Sequence, residues 1–164
     1  MNAVVLVQLG VAQAHEMHRL GFSLAQQFVA GDLVVLTGPL GAGKTTLSRG
    51  IGEGLSVLGT VNSPTFVIAR THKRTTGGPE LVHVDAYRLG SPQELDDLDI
   101  DFANCITLVE WGAGFTAGIS DSWLEVEIER DHTGVSEERK VKITGFGPRW
   151  SEPGIGEQIL AGLR

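Results

Sequence analysis

LTGPLGAGKTTLSRG, residues 36–50, sets four glycines around a single lysine. Within it, Gly38 to Thr45 fit the spacing G-x-x-x-x-G-K-[ST] of a phosphate-binding loop. The chemistry accounts for each residue type. Gly41 and Gly43 open backbone angles closed to other residues, so successive N–H groups can point into one concavity. Without side chains there, a phosphate can approach the backbone itself. A helix starting after the loop adds its positive end. Lys44 can reach the β- and γ-phosphates. The Thr45 hydroxyl can take one position on Mg²⁺, an ion that keeps several waters and needs few protein oxygens.

A glycine-rich turn with a chance Lys-Thr is the competing reading, and the flanking sequence argues against it. LVVLT (33–37) is a short continuous apolar run, the pattern of a central buried strand. Residues 44–57 read as a helix with Leu47, Ile51 and Leu55 on one side. Upstream, residues 3–9 (AVVLVQL) predict a strand. Residues 13–30 predict a helix whose stripe is Met17, Leu20, Leu24 and Phe28.

Downstream, SPTFVIART (63–71) opens with a proline turn and continues as a strand. HKRTTGGPE (72–80) is a polar loop or hairpin turn. LVHVDAYRL (81–89) is a strand running into a turn. Ser91, Pro92 and Glu94 have the spacing of a helix start, with Ser91 as N-cap. Glu94 to Asp101 hold five carboxylates in eight residues, a solvated face. CITLVEW (105–111) is an apolar strand. WLEVEIE (123–129) and RKVKITGF (139–146) alternate and pair around the intervening turn. Residues 153–163 read as a terminal helix. The expected fold is α/β: a phosphate-loop, three-layer sandwich with a mostly parallel central sheet, helices on both faces and an antiparallel portion at one edge. Residues 1–164 read as a single domain.

A second acid is needed to anchor the metal. Asp85 ends LVHVD and Glu110 ends ITLVE, and in phosphate-loop proteins an acid at such a strand end faces the ion. Spacing alone does not choose between them. The more continuous apolar run before Glu110 favours it for the metal and leaves Asp85 to orient or deprotonate the attacking water. Ser63-Pro64-Thr65-Phe66 lies where a γ-phosphate sensor would sit, although on its own it reads as a simple proline turn. Arg88 suits either transition-state charge or the acidic run. Trp111 and Cys105 read as packing residues, and His15 and His18 carry no signal.

Net charge is −7, which argues against free-standing nucleic-acid binding. A single cysteine cannot form an internal disulfide. No apolar run approaches membrane-helix length and no leader pattern opens the chain. A cytoplasmic protein that makes no membrane contact is the expectation.

GPLGAGKTTLSRG, NSPTF, HVDAYRL, SPQELDDL and LVEWG, in that order, resemble the TsaE (YjeE) family of small bacterial ATPases. The resemblance covers roughly residues 10 to 130. It implies binding and hydrolysis of ATP with Mg²⁺, in association with the TsaB–TsaD complex. That complex forms threonylcarbamoyladenosine at position 37 of tRNAs reading codons that begin with A, and tRNA would be met only indirectly. It further implies that Gly41, Ala42, Gly43, Lys44, Thr45 and Thr46 cradle the nucleotide. Thr45 and Glu110 would be the magnesium ligands. Asp85, within H-x-D-x-Y-R, would be the catalytic acid alongside Lys44. Thr65 would belong to a switch-like S-P-T-[YF] turn. The segment near Gln13 and Ala14 would lie over the adenine, and Arg139 would be a distal nucleotide contact. Many relatives carry Asp where this chain has Pro39, a position expected to supply a bend rather than a contact.

Two other functions fit a phosphate loop. A small-molecule kinase would need an acceptor pocket and an arginine-bearing lid. Residues 112–164 hold Arg130, Arg139, Arg149 and Arg164 without a clustered pattern. A nucleotide-dependent binding switch would differ from the ATPase mainly in turnover.

Overall fold

The computed structural model describes residues 3–39, 41–62, 68–111, 114–116, 118–131, 133 and 135–164. The chain runs β1 (Ala3–Val11), α1 (Ala14–Ala25), β2 (Leu33–Thr37), α2 (Lys44–Gly54), β3 (Ala69–His72) and β4 (Leu81–Asp85). A 3-10 turn over Ala86–Arg88 leads to α3 (Pro92–Asp96), β5 (Ile106–Glu110), β6 (Trp123–Arg130), β7 (Arg139–Phe146) and α4 (Ile155–Ala161).

All seven strands form one mixed sheet in the order β1-β7-β6-β2-β5-β4-β3. The four central strands, β6, β2, β5 and β4, are mutually parallel. β1 and β7 extend the sheet antiparallel on one side, and β3 does so on the other. The expected single antiparallel edge is therefore corrected to two, and parallel pairings do not dominate. Hairpins cause this: β3–β4 and β6–β7 are joined by chain too short for a crossover helix, so each must pair antiparallel. The 72–80 loop is indeed the β3–β4 connection.

Period-two burial sorts the strand residues onto two faces. Val34, Leu36, Leu81, Ile106, Leu108, Leu124, Val126 and Ile128 join the larger core beneath α1, α2 and α4. Leu33, Val82, Val84, Cys105 and Val109 join a smaller core with Leu89 and Leu95. On this second face α3 has only five residues, and Leu98, Ile100, Phe102, Phe115 and Ile119 from the connecting segments pack there as well. Beyond it, Glu127 lies opposite Lys142 and Glu129 opposite Lys140 on the outward face of β6–β7.

The stripe Met17, Leu20, Leu24 and Phe28 is buried as expected. However, α1 stops at Ala25 rather than reaching residue 30. The chain then turns, and the Asp32 carboxylate accepts the Val29 N–H at 2.8 Å. α2 likewise ends at Gly54. The two helices cross with backbones nearly touching. A Cβ on Gly21 would lie 2.2 Å from the Leu47 carbonyl oxygen, and one on Gly50 would lie 2.1 Å from that of His18. Only glycine permits such an approach of α1 to α2.

The C-terminal third, which carries no motif, completes the sheet and closes the core. Trp150 is fully buried and meets Phe28 edge-on, with ring centroids 6.5 Å apart. Arg149 grips the buried Asp32 with Nε 3.0 Å from Oδ1 and a second nitrogen 3.1 Å from Oδ2. It also donates to the Gln27 carbonyl at 2.6 Å. This fork ties the chain end to the α1–β2 turn. At α3, Ser91 stands at the N-cap with Pro92 first in the helix, but its side chain makes no capping bond. Glu94 instead accepts the N–H of Gly90.

Candidate functional site

Four parallel strands end at one edge of the sheet. Leu36 of β2 is in register with Glu110 of β5, and Glu110 with Asp85 of β4. The two acids therefore stand side by side, next to the strand from which the glycine loop springs. Ligands of open α/β sheets sit outside such carboxyl ends.

The loop enters α2 through two left-handed glycines, Gly41 at φ +76° and Gly43 at φ +113°. Side chains rarely adopt these angles. A Cβ at Gly41 would also come within 3.0 Å of Arg130. Gly43 is the N-cap of α2 and no side chain caps the helix there. The first-turn N–H groups thus face the loop concavity unclaimed by a cap.

Lys44 is buried, with 8% of its surface exposed. Its ammonium donates to the carbonyls of Gly38 and, at 3.1 Å, Pro39. Position 39 therefore makes a contact after all, through its backbone oxygen, which any residue would supply. The ammonium also lies 4.1 Å from the centroid of the Trp111 ring. Burial pushes the Lys44 pKa below its ordinary value, and the negative charge of Glu110 partly opposes that.

Lys44, Thr45, Thr46, Glu110 and Trp111 line one open cleft of about 300 Å³ with Gly41 and Gly43. The other side of the loop borders a second cleft of about 270 Å³. That one is lined by Gln13, Ala14, Met17, Ala42 and Arg139, and it shares Gly41, Gly43 and Thr46. Arg139 reaches the Gly41 carbonyl at 3.3 Å. Of the expected site residues, Gln13, Gly41, Ala42, Gly43, Lys44, Thr45, Thr46, Glu110 and Arg139 line these two clefts, whereas Asp85 lines neither and stands beside Glu110 by register alone. Thr65, with the rest of the 63–67 turn, lies outside the described residues.

Asp85 is held in place rather than open. Its Oδ1 accepts the Tyr87 N–H at 3.1 Å, and its Oδ2 lies 3.5 Å from Arg88 Nε. Arg88 therefore partners Asp85 and not the acidic run. Trp111, expected as packing, is instead a wall of the cleft. It takes φ +62°, an uncommon angle for a non-glycine residue, and donates its N–H to the Leu36 carbonyl at 2.9 Å. Tyr87, 77% exposed, leans against it with ring centroids 5.7 Å apart. Arg130 at the end of β6 also reaches the loop. No local pattern singles it out, because its place depends on β6 pairing with β2.

The arrangement suits a magnesium–triphosphate in three respects. Gly41 and Gly43 leave a cradle that side chains would fill. Lys44 supplies an ammonium that bonds two neutral carbonyls, lies over a ring and feels the negative charge of Glu110. Thr45 and Glu110 present hard oxygen donors to the same cleft.

Fold and site define a mixed α/β protein with a lysine-bearing glycine loop at the carboxyl ends of its parallel strands. The crystal structure of Bacillus subtilis YdiB superposes with a TM-score of 0.73, covering 99% of this chain and 96% of that one at 27% identity. The family model "Threonylcarbamoyl adenosine biosynthesis protein TsaE" matches residues 11–141. The tRNA threonylcarbamoyladenosine biosynthesis protein TsaE of Streptomyces coelicolor is 49% identical over 150 residues, spanning 89% of this chain and all of its own. The protein of the same name from Bacillus subtilis is 36% identical over 73% of each chain. The chain belongs to the TsaE family of threonylcarbamoyladenosine biosynthesis proteins.

Proposed function

We propose that the protein is a Mg²⁺-dependent ATPase with a phosphate-loop three-layer fold. In this reading it works in the cytoplasm with the TsaB–TsaD complex to form threonylcarbamoyladenosine at position 37 of tRNAs reading codons that begin with A. Family membership supports the pathway. One observation supports the chemistry: Lys44, Thr45 and Glu110 line a single cleft beside a glycine loop.

Lys44 leaves its two carbonyls and the Trp111 ring to neutralise the β- and γ-phosphates. Gly41, Ala42, Gly43 and the first turn of α2 donate N–H groups to the phosphate oxygens. Thr45 and Glu110 hold Mg²⁺, which when bound offsets the charge developing on the phosphate oxygens. Asp85, beside Glu110, orients the attacking water and accepts its proton. The new bond joins the water oxygen to the γ-phosphorus, and the bond to the β–γ bridging oxygen breaks, leaving ADP and phosphate. Gln13 and Arg139 border the second cleft, which takes the nucleoside end.

Acidic net charge suits a protein that docks on protein partners and leaves tRNA contact to them. The test is a reconstitution with TsaB, TsaD, tRNA and an activated threonylcarbamoyl donor. Modification over repeated turnovers is expected only with this protein and hydrolysable ATP. Sustained modification without the protein, or phosphate transfer from ATP to a metabolite, overturns the proposal.

A further inference from the structure

His83 is a fully buried histidine that the site described above leaves without a task. It lies on β4 in register with Leu108 of β5, two residues short of the Asp85–Glu110 pair. Period-two alternation puts it on the same face of the sheet as both acids. Its Nε2 lies 3.5 Å from Glu110 Oε2, and both side chains are essentially sealed from water, at 0% and 3% exposure. Its Nδ1 has no hydrogen-bond partner among the described residues.

Sealing an imidazole in a sheet core without satisfying both nitrogens is costly, whereas an aliphatic residue would pack there at no such cost. A carboxylate accepts and does not donate, so the imidazole nitrogen facing it must carry the proton. At 3.5 Å the contact is longer than a formed N–H···O bond. Contacts of this kind in unliganded sites commonly tighten once the ligand is bound.

We propose that His83 is a positioning residue for Glu110: its Nε2–H holds one carboxylate oxygen and so aims the other at the cleft shared with Thr45. The arrangement matches the way outer-shell hydrogen bonds orient metal-binding side chains. This inference rests on Glu110 being a magnesium ligand, and the experiment separates the two.

Titrations of ADP are run over a Mg²⁺ series and without metal, on the full chain and on His83→Gln, His83→Asn and Glu110→Gln. Glutamine places an amide N–H where Nε2 stood, and asparagine places it only as far out as Nδ1. His83→Asn is expected to weaken apparent Mg²⁺ affinity in the ADP complex by about 10- to 100-fold. His83→Gln should stay within about threefold of the parent protein, and metal-free ADP affinity should be unchanged in both. Equal Mg²⁺ affinity in His83→Asn and the parent protein overturns the inference, as does equal loss in both histidine variants. Unchanged Mg²⁺ affinity in Glu110→Gln instead removes the ligand reading, and this inference with it. Thermal melts of each variant separate a loss of folding from a loss of aim.

Discussion

The ammonium of Lys44 sits over the face of Trp111, 4.1 Å from the ring centroid. An attraction of this kind contributes about 0.5–2 kcal/mol, depending on desolvation. It keeps the charge of a buried lysine beside the loop in the absence of phosphate. Lys44→Ala removes the only side-chain ammonium lining the cleft among the described residues. Nucleotide affinity, measured by calorimetry, should fall at least about 100-fold, because charge-assisted bonds to phosphate are among the strongest available. Unchanged affinity would contradict the site.

The same contact makes Trp111 a reporter. Withdrawal of the ammonium towards phosphate changes the environment of one indole out of three. Adding ADP should alter tryptophan fluorescence, and Trp111→Phe should abolish that response while binding persists by calorimetry. An intact response in Trp111→Phe would show that the signal arises from Trp123 or Trp150 and would remove Trp111 as the reporter.

The two acids have separable tasks. Asp85→Ala should retain ATP binding and lose phosphate release by about 100-fold or more, the scale of a lost general base. Glu110→Ala should weaken binding with Mg²⁺ more than binding without it. Equal losses with and without metal would refute the ligand assignment.

Gly50→Ala tests the α1–α2 crossing. The new methyl would meet the His18 carbonyl oxygen at 2.1 Å, and backbone cannot step aside as a flexible side chain can. A destabilisation of about 1–3 kcal/mol in urea unfolding is expected, as for other overpacked cores. The glycine loop would tilt with α2, so nucleotide affinity should fall as well.

His72 sets a pH dependence. Its pKa is lowered, chiefly by burial and further by His83 and Arg70. The unfolded chain therefore binds a proton at this residue before the folded one does. Stability from this source is present above the ordinary histidine pKa, about 6.5, and is lost as pH falls through the lower folded value. The thermal midpoint should decline on acidification, and His72→Gln should decline less steeply. Parallel curves for the two proteins would rule the residue out.

Much of this architecture was legible in the order of residues. The loop, the strand before it and the helix after it follow from turn chemistry and short-range periodicity. Leu47, Ile51 and Leu55 are buried where the spacing puts them. β7 spans the same residues, Arg139–Phe146, that alternation marks out. Glu110 and Asp85 were visible as acids closing apolar runs. The helix ends were not, since α1 stops where Asp32 and Arg149 fasten the chain from afar.

What the sequence determined alone is therefore local: which segments pair apolar faces with polar ones, and where glycines free the backbone for an anion. The tertiary structure decided everything that depends on one strand finding another. It set β1 against β7 across the 127 residues of chain between Val11 and Arg139 and brought Arg130 to the loop through β6. It also placed Trp111 under Lys44 and His83 behind Glu110. The physical reason is that strand order and register minimise exposed apolar surface and unpaired backbone over the whole chain at once, a sum that no short window of residues contains.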